Sequence, residues 1–136
     1  MYKSLPSPSC EVNWAGFYTI DTATPADNPG LILGPFHGKV ACQTIAFGRG
    51  VCGAAASTEE TQLVPDVEKF PGHIACDGAS KSEIVVPIVA GKDSADPGRL
   101  FGIIDIDCAV EKGFNETDKK FLEQLAAILA NSCDWS

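Results

Sequence analysis

The chain has 136 residues and a formal net charge of −8, a balance that argues against nucleic acid, whose binders need basic patches. Apolar residues make up 45% of it, enough for a hydrophobic core and too many for a disordered polymer. No apolar run approaches the roughly 18 residues of a membrane span, and the first ten residues lack the apolar centre of a secretory leader. One domain covering 1–136 and a cytoplasmic setting are therefore expected, with six cysteines held as reduced thiols or transient disulfides.

The aromatic, β-branched run Val12–Ile20 predicts a strand with Trp14, Gly16 and Tyr18 on one face. Asp21–Gly30 reads as a loop rich in Pro, Asn and Gly. Leu31–Leu33 predicts a short strand, Gly34–Gly38 a turn, and Lys39–Ile45 a further strand. Gly48-Arg49-Gly50 opens a small-residue helix, Val51–Thr58. Gln62–Val64 follows as a short strand, and Asp66–Phe70 as a helical turn stopped by Pro71-Gly72. His73–Ser82 reads as a loop. Glu83–Val89 and Leu100–Asp107 predict two core strands joined by an exposed loop. A terminal helix capped by Asn115 or Thr117 carries Phe121, Leu125, Ile128 and Leu129 at i, i+4, i+7 and i+8. This order predicts an α+β domain, an antiparallel sheet with helices packed against it.

Three cysteines stand in contexts that contain Gly, His or Arg: Cys42, Cys52 and Cys76. A cysteine attacks as thiolate, and a cation or a helix N-terminus lowers its pKa. Cys52, just after Arg49 in the first turn of the predicted helix, is a candidate low-pKa thiol. Cys76 follows His73 in a loop that a substrate could reach. Cys42 sits on a strand entering the same region. Cys10, Cys108 and Cys133 have bland surroundings. The spacings of ten and twenty-four residues between the three contain no CxxC pair, so no metal site is expected, although His37 and His73 could complete a ligand set. The thiols point to redox chemistry.

Asp105 and Asp107 share one face of a strand, and Glu83 at the start of the partner strand can join them. Burying such charges is costly without a cation or donors. No Gly-rich calcium loop surrounds them, which favours an ammonium group over a metal ion. Trp14 and Tyr18 could wall an apolar pocket, although sheet core is the commoner fate of strand aromatics. Together these pieces suggest a small zwitterion whose other end is reducible by a thiolate.

Asn13–Tyr18, Leu33–Cys42, Gly48–Gly53, Asp66-Val67, Phe70–Asp77, Ser82–Val85 and Gly102–Asp107, in this order, resemble the free methionine-R-sulfoxide reductases, a family of GAF-domain enzymes. The resemblance implies a GAF fold and reduction of free methionine-R-sulfoxide to methionine, with no metal or organic cofactor and with thioredoxin as reductant. It implies that Cys76 attacks the sulfoxide, that Cys42 resolves the resulting sulfenic acid as a disulfide, and that Cys52 takes part in regeneration. It also assigns Glu83, Asp105 and Asp107 to the substrate amine and sulfoxide oxygen, and Trp14 and Tyr18 to the methyl-sulfur end. The family usually carries a helical segment well before the Asn-Trp motif, and twelve residues precede Asn13 here. Either the chain is truncated or that face is covered by something else, such as a partner subunit in a homodimer. The rival reading is a non-catalytic GAF module that binds or senses a small molecule.

Overall fold

A computed structural model describes residues 12–20, 30–38, 43–70, 81–91, 98–110 and 113–132. Six strands form one antiparallel sheet: β1 (Val12–Ile20), β2 (Gly30–Gly38), β3 (Thr44–Ala46), β4 (Gln62–Val64), β5 (Ser82–Val89) and β6 (Leu100–Cys108), in the spatial order β3-β2-β1-β6-β5-β4. Two helices, α1 (Gly50–Thr58) and α2 (Glu116–Ser132), complete the described architecture, with a 3-10 turn at Val67–Lys69. The expected antiparallel α+β arrangement is what the chain adopts. The loop that carries Cys76 and the segment that carries Cys42 lie outside the described residues.

Strand alternation divides the core in two. Trp14, Tyr18, Val85 and Ile103 pack with Val51, Cys52, Ala55 and Ala56 of α1. Ile84, Val86, Ile88 and Ile104 pack with Ala126 and Ala130 of α2. α1 is built almost wholly from small residues, and six of its nine residues are buried. Gly53 lets it approach closely, because a Cβ there would come within 2.6 Å of the Ala46 carbonyl oxygen. At the start of α2, the Asn115 side chain accepts from the Asp118 N–H at 3.0 Å, and the Asp118 carboxylate accepts from the Asn115 N–H at 2.9 Å. This reciprocal cap makes Asn115 the helix start.

Two expectations are corrected. The turn expected at Gly34–Gly38 is instead the second half of β2. Its register slips where Gly16 faces Phe36 but Tyr18 faces Leu33, a bulge that takes Pro35 without breaking the strand. Of the strand expected over Lys39–Ile45, residues 39–42 lie outside the described residues, and its end falls in β3, Thr44–Ala46. On α2, Leu129 alone of the apolar stripe packs on the sheet-facing side. Phe121 is 66% and Ile128 61% exposed, and Leu125 is also exposed, whereas Ala126 and Ala130 are buried. Small alanines let the helix lie close to β5, and Leu122 and Leu129 fill the edge of that contact.

Candidate functional site

The face of the sheet beneath α1 gathers the acidic and aromatic residues into one chamber. Across the ladders, Glu83 lies opposite Asp107, and Val85 opposite Asp105. On the other side of β6, Trp14 lies opposite Asp107, Gly16 opposite Asp105, and Tyr18 opposite Ile103. Directly opposed residues of an antiparallel pair point the same way. The register therefore brings Trp14, Tyr18, Glu83, Asp105 and Asp107 to a common face, and α1 lowers Cys52 onto it.

The Cys52 thiol donates to Asp105 Oδ2 at 3.3 Å, and Glu83 Oε2 lies 3.8 Å from the same sulfur. Cys52, Glu83 and Asp105 are 6%, 8% and 5% exposed. Among the described residues, neither Glu83 nor Asp105 is joined to a cation, and Asp105 Oδ1 is buried without a hydrogen-bond partner. Burial, then the neighbouring carboxylate charges, pushes the Asp105 and Glu83 carboxyls well above the usual carboxylate range. Raised carboxyls with no cation beside them among the described residues suit a ligand that brings positive charge.

Cys52 is not the low-pKa thiol expected from Arg49 and the helix start. Burial first, then the charges of Asp105 and Glu83, pushes its pKa up. The Arg49 residue is exposed, while the sulfur points away from solvent into the acidic chamber. Tyr18 is affected in the same direction, by burial and then by Cys52 and the carboxylates.

The aromatic wall is larger than sequence reasoning placed it. Trp14 stacks on Tyr18 with ring centroids 6.1 Å apart, and on Phe36 at 5.6 Å. Gly16 makes room for this: a Cβ there would lie 2.6 Å from both the Trp14 ring and Phe36 Cβ. Phe36 was hidden by reading its segment as a turn. No local pattern signals it: its place opposite Gly16 is a property of the β1–β2 register.

His37 is exposed on β2; Cys42, His73 and Cys76 lie outside the described residues. Cys108 is buried near Ser82 and Gly113, on the α2 side of the sheet, away from the chamber. No described helix is long and apolar enough to cross a membrane.

An antiparallel sheet flanked by helices, with acidic and aromatic side chains gathered beneath a small-residue helix, is the arrangement that comparison with known proteins narrows. The GAF domain family model matches residues 7–133. A free methionine-R-sulfoxide reductase of Saccharomyces cerevisiae is 58% identical over 132 residues, 97% of this chain and 67% of the yeast protein. The Escherichia coli protein of that name is 45% identical over 119 residues, 88% of this chain and 65% of its own length. The structure of the Neisseria meningitidis free methionine-R-sulfoxide reductase in complex with its substrate superposes with a TM-score of 0.77, at 43% identity, over 90% of this chain and 67% of that one. The chain belongs to the GAF-domain family of free methionine-R-sulfoxide reductases. It spans about two thirds of the length of these relatives.

Proposed function

We propose that this chain reduces free methionine-R-sulfoxide to methionine in the chamber beneath α1. The observation that carries the reading is the buried cluster of Glu83, Asp105 and Cys52, without an ion pair to either carboxyl among the described residues. Such a cluster favours a compact cation, and a free amino acid brings an ammonium group that a residue within a polypeptide lacks. Trp14 and Tyr18 offer an apolar wall to the methyl-sulfur end.

Cys76 is the proposed nucleophile. Its thiolate attacks the sulfoxide sulfur and forms an S–S bond, the protonated sulfoxide oxygen leaves as water, and a water then attacks the Cys76 sulfur, breaking the S–S bond so that methionine departs and Cys76 is left as a sulfenic acid. The departing oxygen needs a proton during attack. A carboxyl of the Glu83–Asp105–Asp107 group, protonated because of its surroundings, can supply it. Cys42 then condenses with the sulfenic acid, forming a disulfide and water. A thioredoxin dithiol reduces that disulfide and is itself oxidised. Cys52, held as a thiol, serves as a reserve thiol for regeneration. The reaction calls for no metal and no organic cofactor, and a homodimer in the cytoplasm is the proposed working form.

The test is NADPH consumption with thioredoxin and thioredoxin reductase, comparing the R and S epimers of free methionine sulfoxide. Turnover of R alone is the expected result. Equal turnover of both epimers, or of neither, contradicts the reading.

A further inference from the structure

The same chamber has the geometry of a site for a thiophilic divalent cation. One ligand atom each from Cys52, Glu83 and Asp105 lie within 4.8 Å of one another, and all three residues are buried. A tetrahedral zinc ion with Zn–S near 2.3 Å and Zn–O of about 2.0–2.2 Å has sulfur-to-oxygen edges of roughly 3.5 Å. The two measured edges, 3.3 Å from Cys52 Sγ to Asp105 Oδ2 and 3.8 Å to Glu83 Oε2, bracket that value. A second observation is independent of these edges: among the described residues, Asp105 Oδ1 is buried with no hydrogen-bond partner. The ligand set differs from the cysteine and histidine candidates that spacing suggests. It comes from one helix and two strands and is brought together only by the fold.

We propose that zinc or a similarly soft divalent ion binds to Cys52, Glu83 and Asp105 and reversibly blocks the reductase by occupying the place of the substrate ammonium. The blocking half of this proposal rests on the reading of the chamber as the substrate site; the ion site itself does not. Binding involves no electron transfer. The ion displaces the Cys52 S–H proton and any carboxyl protons to solvent, forming one metal–sulfur and two metal–oxygen bonds. These three are the protein ligands among the described residues. One soft thiolate among only three protein ligands selects zinc or cadmium, and leaves magnesium and calcium, which want six or more oxygens, without a site.

Cadmium titration of the reduced full chain reads the site directly, through the ultraviolet thiolate-to-cadmium charge-transfer band. One equivalent is expected to saturate a band that Cys52→Ser loses and that the Cys42→Ser/Cys76→Ser double variant keeps. The near-isosteric Glu83→Gln and Asp105→Asn variants keep the thiol and preserve shape, and each is expected to weaken binding by at least about tenfold, since loss even of outer-shell partners costs that much. A band that survives Cys52→Ser, or that vanishes in the double variant, overturns the site. Excess free methionine-R-sulfoxide is expected to diminish the band. A band untouched by a sulfoxide that the chain turns over overturns the blocking mechanism. An intact band in a chain that turns over no sulfoxide supports the ion site while contradicting the enzymatic reading.

Discussion

Cys52 Sγ lies 3.3 Å from Asp105 Oδ2, and both side chains are at least nine-tenths buried. A buried thiol beside a carboxyl is stabilised as a donor and not as a thiolate. Cys52 is therefore expected to react with iodoacetamide at neutral pH at least about tenfold more slowly in the native chain than in denaturant. Mass spectrometry of the alkylated peptide checks this, and equal rates would contradict the protonated state.

The buried carboxyls impose a pH dependence on stability. Glu83 and Asp105 have folded-state pKa values raised mainly by burial, so the folded chain binds more protons than the unfolded one above about pH 4, where free carboxyls titrate. Their contribution to stability is fully present below that pH and is lost as pH rises through the folded values. Urea unfolding is expected to give a lower midpoint at about pH 8 than at about pH 5. Asp105→Asn should flatten this slope and stabilise the fold at neutral pH while lowering turnover.

Gly16 is where the aromatic wall and the sheet compete for space. Gly16→Ala puts a methyl group 2.6 Å from the Trp14 ring, and relief of that overlap is expected to cost about 1–3 kcal/mol. If the displaced ring lines the substrate pocket, KM should rise more than kcat falls. Urea unfolding combined with steady-state kinetics separates the two effects.

The Asn115 cap is remote from the chamber and offers a control. Asn115→Ala removes the hydrogen bond to the Asp118 N–H and is expected to cost about 1 kcal/mol. Thermal unfolding should register this loss, and kcat should stay unchanged.

Period-two alternation made the shared face of Asp105 and Asp107 legible, as well as that of Trp14 and Tyr18. Small residues after Gly50 made α1 legible in the same way. Joining these pieces required register, which no local pattern carries: that Gly16 lies opposite Asp105 is a property of the β1–β6 pairing alone. Pro35 misled for a local reason, since a proline after glycine reads as a turn, whereas a bulge admits it to a strand. On α2, the largest apolar side chains drew attention to the wrong side, because close helix–sheet packing selected Ala126 and Ala130 over Phe121 and Ile128. The pKa of Cys52 was misjudged because its sequence neighbour Arg49 is cationic, while its spatial neighbours are acids.

Recognition of a free ammonium by the acidic chamber is the central claim. It is tested most directly by comparing kcat/KM for free methionine-R-sulfoxide with that for its N-acetyl derivative, which keeps the sulfoxide and removes the positive charge. Loss of a buried charged hydrogen-bonding group is worth about 2–4 kcal/mol, so the acetylated compound is expected to be turned over roughly thirtyfold to a thousandfold less efficiently. Equal efficiency on the two compounds would mean that the Glu83–Asp105–Asp107 cluster does not hold the substrate amine.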